Sequence, residues 1–293
     1  MRKKQILYVM GAGRSGTTIA DIILGNQRGF FSCGELNRFP VRQGVPPLIK
    51  GKRKLFWDGF KNEFLSVLTE KRESETSFKS NKYKEYAVVS DKFEYHIGYL
   101  KSLFYRNNKE YAIYKRYIDN FFKTLFSMID AETIIDSSKY PGRLYQLVRL
   151  GFRVKVIYLI REPSMVVQSF EKKNLEQPSK HWLIATIYYF VVNLLCSLTL
   201  LLLKKKIKFV KVKYEDLINS PVDVLKKIEL SLDLNLEHLI KKIEGRHMLM
   251  VGHLFDGNRI RVKNKINIIQ KNNKLSSRIR YMFARFLNNP FYS

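Results

Sequence analysis

Four short apolar runs, each followed by a stretch of helical periodicity, constrain this chain more than any other feature. The runs lie at residues 5–10, 132–136, 153–161 and within 206–217, and the helical patterns at 17–24, 141–151, 162–173 and 220–232. The helix starts carry their own punctuation: Pro141 and Pro163 in first turns, Ser220 as a cap, and Gly151 as a stop. Strands alternating with helices predict a parallel sheet covered on both faces. Ligands of such sheets bind beyond the carboxyl ends of the strands. A further short apolar run, GFFSCGE (29–35), precedes a change of character from 44 to 130, where lysines and aromatics dominate. Helices are predicted there at 55–68 and 111–129, with ESETSFKSNKYKEY (73–86) as loop between them. This region reads as a largely helical insertion on the α/β scaffold. Its Trp57 and many Tyr and Phe side chains either line an acceptor groove or form the insertion's own core.

Residues 182–203 pose a separate question, because WLIATIYYFVVNLLCSLTLLLL has the length and hydropathy of a bilayer span and KKK follows it. A span there would put the strand at 206–217 across the membrane from the rest of the sheet. Thr186, Asn193 and Ser197 recur at helical spacing and give the helix a weakly polar side. A strongly apolar helix that is buried or rests on a membrane is therefore expected.

The chain has 293 residues, 45% of them hydrophobic, enough for a large buried core. Its formal charge of +27 favours a polyanionic partner, but the lysines are dispersed and form no nucleic-acid-binding tail. An anionic membrane face or a multiply phosphorylated ligand fits better, with no nucleic acid. Cys33 and Cys196 stand far apart, in neither a disulfide framework nor a zinc spacing, which makes a cytoplasmic setting the default. The start MRKKQILYVMGAG loosely imitates a secretory signal, but its apolar core is short and no small-residue cleavage site follows.

The loop GAGRSGTT (11–18), between the first strand and its helix, points to a bound phosphate. Its letters fit three patterns. GAGRSG satisfies the dinucleotide pattern G-x-G-x-x-G, with Glu35 placed as a ribose-binding acid. The nucleoside-triphosphate pattern nearly fits, but Thr17 stands where that loop needs its lysine, and Asp136 is the one candidate for a metal-binding strand end. That reading would make the chain a P-loop nucleotide kinase. A non-catalytic basic protein binding nucleic acid or membrane is the alternative from another class.

In its third reading, GRSGTT (13–18) resembles the 5′-phosphosulfate loop of sulfotransferases that use 3′-phosphoadenosine-5′-phosphosulfate (PAPS). LIREPSMVVQS (159–169) resembles that family's 3′-phosphate site, with Arg161 leaving a strand and Ser169 two turns along a helix. DSSKYPGRLYQL (136–147), VKYEDLINSP (212–221) and GHLFDGNRIR (252–261) are similar to segments of bacterial and carbohydrate-type members, and SCGELNRF (32–39) to the Cys-Gly-Glu segment of tyrosylprotein sulfotransferases.

The resemblance implies a P-loop-like three-layer α/β fold with a central parallel sheet, in a single domain over 1–293, with 44–130 receiving the acceptor. It implies PAPS as co-substrate, no metal, and nucleotide contacts from Gly13, Arg14, Ser15, Gly16, Thr17, Thr18, Arg161 and Ser169. Arg259 and Arg261 are placed on a late loop that closes over the nucleotide. Glu35 takes the role of general base, and Lys139 with Arg14 that of cations beside the transferring group. Ser137 and Ser138 are further donors, and Arg38 an acceptor-positioning group. His96 is the alternative base, while His181, His238, His247 and His253 have no base-like context. The aromatic insertion, the apolar helix and the basic surface together suggest a glycan or glycolipid acceptor near the cytoplasmic membrane.

Overall fold

The computed structural model describes residues 4–68, 75–103, 109–172, 179–268 and 278–292. Strand β1 (Gln5–Met10) leads through the glycine loop into helix α1 (Thr17–Leu24), and β2 (Phe30–Ser32) follows. The insertion comes next, as α2 (Gly51–Leu68), α3 (Glu75–Glu94), α4 (His96–Ser102) and α5 (Lys109–Met128). The alternating part runs β3 (Thr133–Lys139), α6 (Pro141–Arg149), β4 (Val154–Ile160), α7 (Pro163–Glu171), α8 (Trp182–Leu203) and β5 (Lys208–Lys213). The chain continues through α9 (Tyr214–Asn219), α10 (Pro221–Leu232) and α11 (Glu237–Glu244). A short antiparallel pair, β6 (Leu249–Met250) and β7 (Lys265–Ile266), and helix α12 (Ile279–Tyr292) complete it.

The five main strands pair in parallel in the order β2-β3-β1-β4-β5. Pleating sends alternate side chains to opposite faces, and both faces are buried. Ile6, Tyr8 and Met10 join one core with residues of α5, α6, α7 and α8. Leu7 and Val9 join the other, with α1, α10 and α11. The result is the expected three-layer α/β architecture, with strand carboxyl ends gathered at one edge.

Trp57, Phe60, Phe64 and Phe121 of the insertion are each at most 1% exposed and pack ring against ring around the buried Phe39, so these aromatics form a core and line no acceptor groove. The segment 73–86, expected as loop, lies from Glu75 onward in α3. Tyr83, Tyr86, Val89 and Phe93 of that helix are buried at spacings of three and four. Ser220 stands at the cap of α10 but makes no side-chain capping bond.

Helix α8 forms part of the crossover between the neighbouring strands β4 and β5. Ala185, Tyr189, Val192 and Cys196 pack into the sheet core, so a bilayer-spanning placement would require the sheet to come apart. Of the residues expected to form a weakly polar side, Thr186 and Asn193 are fully buried and face inward, and Ser197 is half-buried.

Candidate active site

Five residues far apart in sequence, Arg14, Glu35, Lys139, Arg161 and Ser169, line one cleft at the carboxyl ends of the strands. Backbone geometry positions each of them. Gly16 has φ of 95°, and a Cβ there would lie 2.3 Å from the ring of Tyr214, so only glycine lets that ring close on the loop. Arg14 also takes a left-handed backbone (φ 68°). Alternation of hand in successive residues curls a loop so that its N–H groups converge on an anion. Ser15, Thr17 and Thr18 are buried at the start of α1, where the helix dipole adds positive potential.

Glu35 is aimed by the Cys-Gly-Glu turn. Gly34 has φ of 74°, and a Cβ there would come within 2.4 Å of the Asp256 carbonyl. The Gly34 N–H donates to Asp21 (2.9 Å), and the Glu35 N–H donates to the Asp256 carbonyl (3.1 Å). Asp21 also accepts from the Ser32 and Ser137 hydroxyls. Burial pushes the Asp21 carboxyl up to about 7 against these hydrogen bonds.

Across the cleft, Lys139 ends β3 with φ of 65° and donates to Glu35 at 2.6 Å. Burial by itself would lower the Lys139 ammonium, but the Glu35 carboxylate outweighs it and holds the group above the ordinary lysine range. Glu35 thus pairs with Lys139, while the two arginines nearest it in sequence go elsewhere. Arg42 meets Asp256 at 3.1 Å and Arg38 meets it at 3.8 Å, which holds Arg38 against the late segment.

Arg161 donates to the Arg14 carbonyl (3.0 Å) and lies 4.7 Å over the Tyr214 ring. Its Nε is buried without a hydrogen-bond partner. Such an atom is costly to leave unpaired, and it fits an anion arriving between Arg161 and Ser169.

Other expected donors are committed within the protein. Ser137 donates to Asp21, and Ser138 to Asp136. Asp136, the candidate metal ligand, accepts from Arg143 Nε (2.7 Å), and the same guanidinium donates to Glu94 (2.7 Å). Arg259 is exposed and does not line the cleft. Arg261 is 2% exposed, donates to the Gly257 carbonyl (2.5 Å), and lies 3.5 Å from Asp256. It braces the late segment, and the members of that segment lining the cleft are Gly257, Asn258 and Ile260. The segment runs beside the Cys-Gly-Glu turn, with His253 N–H donating to Ser32 and Phe255 N–H to Cys33, and the Asn258 N–H reaches Thr18 (3.0 Å).

His96 does not line the cleft. Its ring packs 5.3 Å from Tyr140 and 6.3 Å from Tyr188. Burial, and then the Lys180 charge, hold its imidazole below the ordinary histidine range. His181 caps α8, and His253 stacks on Phe31 at 4.8 Å.

Three site residues escaped sequence reasoning. Tyr188 accepts from the Gly13 N–H (3.3 Å), Tyr214 packs on Gly16, and Asn258 reaches Thr18. Tyr214 directly follows β5, and a position just past a strand end was the signal that could have found it. Tyr188 was hidden in the apolar run of α8.

The sequence model of the Sulfotransferase family matches residues 7–238, and the chain belongs to that family. Among solved structures, it is similar to a sulfotransferase domain from the olefin synthase of Synechococcus PCC 7002, at 15% identity, 100% of this chain and 96% of that one, and a TM-score of 0.48. A sulfotransferase domain from the curacin biosynthetic pathway is similar at 16% identity, 99% of each chain and a TM-score of 0.49. A Mycobacterium avium sulfotransferase is similar at 14% identity, 83% of this chain and 67% of that one, and a TM-score of 0.47. No curated protein matches.

Proposed function

We propose that this sulfotransferase moves the sulfuryl group of PAPS to an acceptor hydroxyl by in-line transfer, with Glu35 as general base. The acceptor oxygen forms a bond to sulfur as the bond from sulfur to the bridging phosphosulfate oxygen breaks. The acceptor proton passes to Glu35, and adenosine 3′,5′-bisphosphate leaves. Lys139 and Arg14 supply positive charge where the leaving oxygen becomes anionic. The loop 13–18 holds the 5′-phosphosulfate, and Arg161 with Ser169 holds the 3′-phosphate.

The observation that carries this reading is the Glu35–Lys139 ion pair at 2.6 Å in a cleft also lined by Arg14, Arg161 and Ser169. It offers a proton acceptor and a cation side by side, with a cationic group for each end of a two-phosphate ligand. A kinase reading is less favoured: the loop lacks its lysine at Thr17, and Asp136 is bound to Arg143.

For the acceptor we propose a glycan or glycolipid, met by a cytoplasmic enzyme in peripheral contact with the membrane. The basic charge and the apolar helix α8 support this. Calorimetry with adenosine 3′,5′-bisphosphate against ATP–magnesium tests the donor, and a labelled-sulfate transfer screen over glycans, glycolipids and phenols tests the acceptor. Tight bisphosphate binding without magnesium is expected; preferential magnesium-dependent ATP binding would sink the reading.

A further inference from the structure

Helix α8 is apolar around most of its circumference, and its threonines and asparagine lie on the buried side, unlike an ordinary surface helix, whose polar side faces water. Thr186, Asn193 and Thr199 are fully buried. Their polar atoms are satisfied inside: Thr186 by the Trp182 carbonyl, Asn193 by Tyr158 and the Tyr189 carbonyl, Thr199 by the Leu195 carbonyl and Tyr99. The outward stripe is aliphatic. Leu183, Ile187, Val191, Leu194, Leu198 and Leu202 follow one another at spacings of three and four, each between 39% and 59% exposed.

Helix α12 widens this face. Trp182 meets Phe283 with ring centroids 6.2 Å apart, and Phe190 meets Phe291 at 5.3 Å, so the two helices run side by side in the same direction. Phe283 is itself 42% exposed and joins the two stripes, while Ile279 (86%), Met282 (54%) and Phe286 (80%) continue the apolar surface along α12. Scattered exposed apolar residues are ordinary; a surface continuous over two helices marks an interaction site.

We infer that the paired outer faces of α8 and α12 form a docking surface for an anionic lipid bilayer, with both helices lying in the plane of the interface. This deepens the membrane-contact part of the proposed function, on which it rests, and is independent of the transfer chemistry. The occupant follows from charge and shape. Lys204, Lys205 and Lys206 are exposed directly at the end of α8, and Arg278 is exposed just before α12. An apolar face flanked by basic residues matches the boundary between acyl chains and anionic headgroups. With a net charge of +27, a second copy placed on this face would meet like charge, whereas an anionic surface attracts it. The reverse side of α8 carries Tyr188 to Gly13 and Tyr189 to Arg161, so docking would set the cleft beside the bilayer.

The test is flotation of the full chain with vesicles of phosphatidylcholine alone or mixed with phosphatidylglycerol. Bisphosphate calorimetry and analytical ultracentrifugation are run on the same samples. Flotation with the mixed vesicles, weakened by salt, is expected. Ile187→Glu/Leu198→Glu/Phe286→Glu should weaken it about tenfold or more, with the melting midpoint and bisphosphate binding unchanged. The same positions changed to Ser serve if the Glu variant fails to fold. A triple variant that floats like the parent overturns the assignment of this face and leaves membrane contact standing. A parent chain that does not float overturns both, yet keeps the donor reading if it binds bisphosphate. A parent dimer made monomeric by the substitutions would give the face to a second copy and overturn the proposal.

Discussion

Glu35 and Lys139, 104 positions apart, meet at 2.6 Å with side chains only 13% and 15% exposed. The Glu35 carboxylate holds the Lys139 ammonium above the ordinary lysine range, and the pair joins the turn after β2 to the end of β3. Removing either charge should show in catalysis before it shows in folding. Glu35→Gln is expected to cut turnover by about a hundredfold to ten-thousandfold, the usual range for a lost general base. Bisphosphate binding by calorimetry should stay within a few-fold of the parent, and retained turnover would move the base elsewhere.

Arg161 has a buried Nε without a partner, whereas its NH1 already donates to the Arg14 carbonyl. A phosphate there would gain charge-assisted hydrogen bonds. Arg161→Ala should weaken adenosine 3′,5′-bisphosphate binding about 10- to 100-fold. Adenosine 5′-monophosphate, which lacks the 3′-phosphate, should bind the two proteins almost equally.

Gly34 admits no side chain, because its backbone is left-handed and Asp256 closes on it. Gly34→Ala should cost at least ~2 kcal/mol, from the disfavoured conformation plus the displaced late segment. Denaturant unfolding measures that loss. Turnover should fall further than stability explains, because the same glycine aims Glu35.

Arg143 is 1% exposed between Asp136 and Glu94, and burial already raises the Glu94 carboxyl. Arg143→Met strands two buried carboxylates and should cost about 3–5 kcal/mol. Adding Asp136→Asn and Glu94→Gln should recover part of it, read from unfolding midpoints.

Asp21 sets a pH dependence. Its folded carboxyl is raised to about 7, above the ordinary value near 4. Between those values the native state holds a proton that the unfolded chain has released, so stability falls as pH rises. Melting midpoints should decline from about pH 5 to pH 7, and Asp21→Asn should flatten that decline.

Much of the sheet was legible, because strands buried on both faces are written as local apolar runs and their helices carry proline starts. Arg14 and Arg161 were legible because each lies within a few residues of a strand end, where parallel sheets place ligands, whereas Ser169, two turns along α7, was read from the resemblance of its segment. Helix α3 was not, because its apolar stripe at 83, 86, 89 and 93 is interleaved in sequence with Lys84, Glu85, Asp91 and Lys92. Arg259 and Arg261 were placed by position on a late loop over the nucleotide, although only packing decides which side chain of a loop turns inward. Arg261 turned to brace Gly257.

The sequence by itself determined the alternation of strand and helix, the glycine loop after the first strand and the family, since these are local patterns of apolar spacing and backbone freedom. Tertiary structure alone decided that Glu35 pairs with Lys139 and not with Arg38 or Arg42, that Tyr214 enters the cleft, and that Tyr188 reaches the Gly13 N–H of the loop. It also decided that α8 turns its threonines inward and the stripe Leu183, Ile187, Val191, Leu194, Leu198 and Leu202 outward. Hydropathy measures how apolar a helix is; which of its sides is covered depends on the sheet, and the sheet is assembled from strands far apart in the chain.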